Sequence, residues 1–108
     1  MKKLTKDCEV QDLIKDNPMA VIYFTGNDCG ACEAIKFKID NILKRFPKIK
    51  SGEIQGEENP DIAAKYEVFS LPIFLLYIDG KETLRLGRHV NLLELEENIE
   101  RYYNLLFK

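Results

Sequence analysis

The chain has 108 residues, 16 basic and 18 acidic side chains and three cysteines. The length suits one domain, expected to span residues 1–108, and at this size roughly two-thirds of the unfolded surface is buried on folding, enough for a core without staples. A formal charge of -2 argues against a dedicated nucleic-acid binder, 45% apolar content against disorder, and a small, odd cysteine count against a disulfide-rich secreted scaffold.

Lys6, Asp7 and Glu9 stand where a signal peptide would be apolar. The longest apolar run, Leu71 to Ile78, contains Pro72 and is far shorter than the ~20 residues of a membrane helix. The expectation is a cytoplasmic protein with no membrane or nucleic-acid partner. Free thiols persist in that compartment, so cysteines there tend to be catalytic or metal-binding.

Strand-like and helix-like stretches alternate along the chain, the pattern of an α/β fold. Residues 1–4 suggest a short edge strand. Thr5 can cap a helix over about Lys6 to Lys15, with Cys8, Val10 or Gln11, and Ile14 along it. Asn17-Pro18 ends that helix. Met19 to Thr25 is a continuous apolar run rich in β-formers and reads as a strand buried on both faces. Thr25-Gly26-Asn27-Asp28 is a turn. Cys29 then opens a helix to about Phe46, with Ile35, Ile39, Ile42 and Phe46 on one face. Ile49 to Gln55 reads as a weaker strand, interrupted by Gly52. Pro60 suits the first turn of a short helix through Tyr66. Ile73 to Ile78 is a second strong strand. Asp79-Gly80 is a hairpin signal, with Glu82 to Leu86 returning antiparallel. Asn91 and Glu94 resemble a capping box for the last helix, in which Leu92, Leu95, Ile99, Tyr102 and Leu106 line one face. The order is (β)αβαβαββα.

Cys29-Gly30-Ala31-Cys32 carries the chemistry. The i, i+3 spacing puts both sulfurs on one side of a first helical turn, where they can close a small disulfide ring. The unpaired N–H groups of a helix N-terminus favour a thiolate, the attacking species in disulfide exchange. Cys29, at the tip, is the expected nucleophile. Cys32, one turn inward, is the expected resolving thiol. Two other readings remain open. Cys8, Cys29, Cys32 and His89 would make a Cys₃His set of the kind zinc takes, or the pair would hold an iron–sulfur cluster. The chain would then be a structural metal protein or a binding module. Cys8 itself reads as a buried or half-buried side chain without a redox role.

Taken together, these residues resemble the thioredoxin family. The likeness rests on the strand Val21-Ile22-Tyr23-Phe24, then Cys29-Gly30-Ala31-Cys32, then Ser70-Leu71-Pro72 before a strand. The Asp79-Gly80 hairpin, Gly87 after the last strand and a closing helix complete it. It implies a central mixed sheet flanked by helices on both faces. It implies that Pro72 follows a cis peptide bond beside the cysteine pair. Leu71 would offer backbone groups to an extended substrate, with Gly30, Ala31 and Gly87 completing the docking patch. The implied activity is protein-disulfide reduction through Cys29 and Cys32, with no bound cofactor and no metal. A flavin- and NADPH-dependent flavoprotein, of the thioredoxin-reductase kind, would recharge the oxidised pair. Disulfide-bearing proteins would be the substrates, and the protein would be a monomer.

Four positions depart from the family pattern. Ala31 stands where proline is common. Asp28 stands where tryptophan usually precedes the first cysteine, and an acid there works against the thiolate. Tyr23 replaces a buried aspartate that helps deprotonate the resolving thiol, and Glu53 stands at its usual lysine partner. Tyrosine titrates near ~10 and is a poor base at neutral pH. Its hydroxyl would instead hydrogen-bond Cys32 directly or through water, and either resolution is slower or another acid, such as Asp28 or Glu33, assists. Arg88 would offset Asp28 and steer acidic partners, or be solvated. His89 reads as a surface residue.

Overall fold

A computed structural model describes residues 1–107. The elements in chain order are β1 (Lys2–Lys3), α1 (Asp7–Lys15), β2 (Met19–Thr25), α2 (Gly30–Leu43), β3 (Lys50–Gln55), α3 (Pro60–Lys65), β4 (Ile73–Ile78), β5 (Lys81–Leu86) and α4 (Leu92–Leu106). Among the described residues, the five strands form one sheet in the order β1-β3-β2-β4-β5. β1, β3 and β2 run parallel, while β4 is antiparallel to both β2 and β5. This is the mixed, two-sided α/β sheet expected of the sequence.

β2 lies at the centre of the sheet, and every one of its residues is buried. Successive strand side chains point to opposite faces, so one apolar run feeds two cores. Ala20, Ile22 and Phe24 join Val10, Ile62, Ala63 and Val68 under α1 and α3. Met19, Val21 and Tyr23 join Ile39, Ile42, Leu95 and Ile99 under α2 and α4. The absence of polar alternation in Met19–Thr25 therefore has a direct cause: neither face meets water.

Several helix ends differ from expectation. Lys6, not Thr5, occupies the position before α1. The Glu9 carboxylate reaches back and accepts from the N–H groups of Thr5 and Lys6, at 3.0 Å each. That leaves little for a Thr5 cap to do. α2 ends at Leu43, and tighter bonds from Arg45 and Phe46 to Ile42 and Leu43 carry the chain on to a buried Phe46. In α4 the Asn91 side chain accepts from the Glu94 N–H at 3.0 Å, as its spacing predicts. Leu106, however, is exposed, and Tyr103 and Phe107 pack on the core instead. Cys8 is also exposed. The buried line of α1 runs through Val10, Leu13 and Ile14. Two residues before Val10 is about 200° away around the helix, which turns Cys8 to solvent.

Gly52 lies inside β3 for a packing reason. A Cβ there would stand 2.8 Å from Leu4 Cγ and 3.2 Å from Leu13 Cδ2. Leu4 is 3% exposed, and its N–H donates to the Glu53 carbonyl at 2.8 Å. Gly52→Ala should therefore push Leu4 off the sheet and destabilise the fold by about 1–3 kcal/mol, as overpacking does. The reading is a lower urea midpoint at unchanged m-value. An unchanged midpoint would show that Leu4 moves aside at no cost.

Candidate active site

β2 delivers the chain into a turn at Gly26–Asp28, and α2 starts immediately after it. The turn is tied down from the β3–α3 side. The Asn27 N–H donates to Glu57 Oε1 at 2.8 Å, and Gln55 Nε2 donates to Asn27 Oδ1 at 2.8 Å. Gly26 permits this closure, since a Cβ on it would lie 2.5 Å from Glu57 Oε1 and 2.8 Å from Leu71 Cδ1. Asp28 then takes a left-handed backbone, φ 47°, and points into solvent. Asparagine and aspartate tolerate this region better than most side chains.

Cys29 is the N-cap of α2, and Cys32 lies in its first turn. The two form a disulfide with Cα atoms 5.2 Å apart. The Cys32 N–H donates to Cys29 Sγ at 3.1 Å. That N–H is one of the otherwise unpaired donors of a helix start, so in the reduced protein it is placed to stabilise a thiolate at Cys29. Cys29 is half-buried and Cys32 fully buried. One sulfur is thus within reach of a partner and the other is not.

Below the pair, Tyr23 is fully buried, and its hydroxyl donates to the Cys32 carbonyl at 2.8 Å. The expected contact with Cys32 is present, but it is made to the backbone and not to the sulfur. Burial holds the Tyr23 phenol well above the ordinary tyrosine range, and the carboxylates of Glu33, Glu53 and Asp40 push it further. A phenol so placed stays protonated and anchors the first turn of α2.

The parallel register sets Tyr23 beside Glu53. Glu53 is buried, and Lys36 of α2 donates to its Oε2 at 3.1 Å, with Glu33 3.8 Å from the same ammonium. Burial works to lower the Lys36 pKa, but the Glu53 hydrogen bond and the surrounding carboxylates outweigh it, so the net shift is upward. Thus the acid at position 53 finds its cation on the helix and not on a neighbouring strand. Glu33 itself is exposed. Sequence reasoning overlooks Lys36. Its signal is the i+4 spacing from Cys32, which keeps it on that side of α2.

Of the other expected site residues, Gly30 is exposed, Ala31 and Gly87 are half-buried, and Leu71 is half-buried against Gly26 and Gly56. The Leu71–Pro72 peptide bond is cis, and Pro72 is buried. Phe24 pairs with Ile73, which brings the Leu71–Pro72 loop alongside the turn carrying Cys29. Arg88 Nη2 donates to the Leu71 carbonyl at 3.1 Å, and His89 is exposed. Cys8 and His89 do not join the pair: among the described residues, no three His, Cys, Asp or Glu side chains converge as a metal site. The Cys₃His reading therefore lacks its ligand cluster.

Comparison with known proteins gives a consistent result. The thioredoxin family model matches residues 1–101. Thioredoxin-like protein YdfQ of Bacillus subtilis (strain 168) is 34% identical over 96 residues, covering 89% of this chain and 86% of the relative. Oxidised mitochondrial thioredoxin 3 from Saccharomyces cerevisiae superposes with a TM-score of 0.82 at 31% identity, covering 94% of each chain. A structure from work on the thiol resolving mechanism of yeast mitochondrial 1-Cys peroxiredoxin, via glutathione/thioredoxin systems, gives 0.83 at 30% identity, again covering 94% of each. With a Cys-x-x-Cys disulfide at the start of the helix that follows the central strand, the chain belongs to the thioredoxin family of thiol–disulfide oxidoreductases.

Proposed function

We propose that the protein works in the reducing direction, on disulfides of other proteins. The observation that carries this reading is the contrast between a half-buried Cys29 at the N-cap and a fully buried Cys32 one turn inward. In the dithiol form the Cys29 thiolate attacks one sulfur of a target disulfide. The target S–S bond breaks, its electron pair leaves on the second target sulfur, and a mixed disulfide forms. Cys32, deprotonated, then attacks Cys29 Sγ and expels the first target sulfur. Two electrons pass to the target, its two sulfurs take up two protons, and the Cys29–Cys32 disulfide remains. Recharging needs a two-electron donor, and a flavin- and NADPH-dependent reductase of the thioredoxin-reductase kind fills that role.

Leu71 and Pro72 would hold the extended target segment, with Gly30, Ala31 and Gly87 completing the patch. A protein containing a transient disulfide, such as the peroxiredoxin class named for the yeast structure, is the substrate type. The exposed free thiol of Cys8 suits a reducing compartment, which supports a cytoplasmic location. The test is a trap. Cys32→Ser protein expressed in cells should accumulate covalent partners through Cys29, identifiable after reduction. Recovery of nothing beyond a Cys29→Ser/Cys32→Ser control would remove the reading.

A further inference from the structure

Two features meet at Leu71, on the surface next to the redox pair. It lines an apolar groove of about 240 Å³ together with Pro60, Ala63, Val68 and Phe69. Its carbonyl accepts from Arg88. Both lie beside the turn that presents Cys29, because the Leu71 side chain packs against Gly26.

Each feature is unfinished. Phe69 is 83% exposed although its neighbour Val68 is buried. A single exposed apolar side chain needs no explanation, but this ring lines a groove whose Leu71 wall packs against Gly26, on the turn that leads into Cys29. Arg45 and Arg85 pair with carboxylates. Arg88 is exposed, and among the described residues its hydrogen bond goes to a neutral carbonyl. A carboxylate binds a guanidinium more strongly than a neutral carbonyl does, and can do so through two parallel bonds. The nearby acids do not meet that need. Glu57 is held by the Asn27 N–H, and Asp28 is exposed on the turn.

We propose that Arg88 and the Phe69 groove select the target. The occupant is an extended segment of a disulfide-bearing protein whose cysteine is flanked by a carboxylate, taken by Arg88, and by a bulky apolar side chain, seated against Phe69. This rests on the reductase reading above. When the target carboxylate draws Arg88 away, the Leu71 carbonyl is released to accept a backbone N–H from the same segment. Recognition of the charge and alignment of the backbone are thereby one event.

The test uses the full-length reduced protein and stopped-flow oxidation by synthetic disulfide peptides. The peptides differ only in Glu, Gln or Lys beside the cysteine, and in Leu or Ala at the apolar position. Bis(2-hydroxyethyl) disulfide serves as a small uncharged substrate. Wild type should oxidise about fivefold faster with the Glu than with the Lys peptide at low salt, and the ratio should shrink as salt screens the exposed pair. Arg88→Glu should invert the order, and Phe69→Ser should erase the preference for Leu over Ala. These ratios are internal to each protein, so a general loss of activity does not mimic them. A wild type that prefers the Lys peptide, or a Glu:Lys ratio shared by wild type and Arg88→Glu, would overturn the proposal while leaving the reductase reading intact. A wild type inert towards every peptide and towards the small disulfide would overturn the reductase reading, and this proposal with it.

Discussion

Cys29→Ser is expected to reduce target disulfides at background rate, a loss on the order of 10⁴ or more, while Cys32→Ser completes the first attack and stops there. The asymmetry comes from placement. Serine at position 29 removes both the attacking anion and one half of the disulfide that must form, so neither step is possible. Serine at position 32 leaves Cys29 at the N-cap, half-buried and facing the helix-start N–H groups. One equivalent of target should then become covalently attached, and one equivalent of thiol be released. Rapid quench followed by non-reducing mass analysis measures both. The exposed thiol of Cys8 would react with the same reagents, so the comparison belongs in a Cys8→Ser background. Wild-type turnover by Cys29→Ser, or equal trapping by the two single variants, would overturn the assignment of roles.

The parts of this site that are legible in the sequence are the local ones. Met19–Thr25 announces a doubly buried strand because both of its faces need apolar side chains. Cys29 and Cys32 are separated by one helical turn, and the turn residues before them mark where the helix starts. Asn91 signals its own cap through an interaction three residues long. What escapes is set by register and by crossings between elements. Lys36 meets Glu53 only because β3 lies beside β2 in parallel register and α2 crosses above them. Glu57 reaches Asn27 across thirty residues of chain, and no spacing rule links them. Cys8 is misplaced because its residue type suggests burial, whereas the helical phase set by Val10 decides the matter.

Register also explains how the chain tolerates a glutamate in the middle of its sheet. An isolated carboxylate at that depth would lose its hydration and fold poorly. The Lys36 ammonium, itself only partly exposed, makes up for the loss at 3.1 Å. Removing one partner of such a pair is more costly than replacing both, since the survivor is left charged and unpaired. The pair and the Tyr23 phenol occupy neighbouring positions behind Cys32, so the resolving thiol sits above a region that is polar and yet holds its protons tightly.

Tyr23→Asp should therefore trade stability for faster resolution. The phenol is fully buried and fills space beneath Cys32. Truncating a side chain of that size costs about 3–5 kcal/mol, a large part of the 5–15 kcal/mol that holds a typical domain together. In exchange, a carboxylate would stand next to Glu53, where burial and a like charge both raise its pKa towards neutrality. A base poised near the working pH can take the Cys32 proton that the native phenol, kept protonated by burial and three carboxylates, cannot accept. Decay of a preformed mixed disulfide should accelerate by roughly tenfold or more near neutral pH, with a pH profile that follows the new acid. Tyr23→Phe separates the two effects. It keeps the ring and loses one hydrogen bond to the Cys32 carbonyl, at a cost of about 1 kcal/mol. Its resolution rate should match wild type, since the lost bond touches backbone and not sulfur. A Tyr23→Asp protein that is folded, by its urea transition, yet resolves no faster than Tyr23→Phe would show that proton removal from Cys32 does not limit the step.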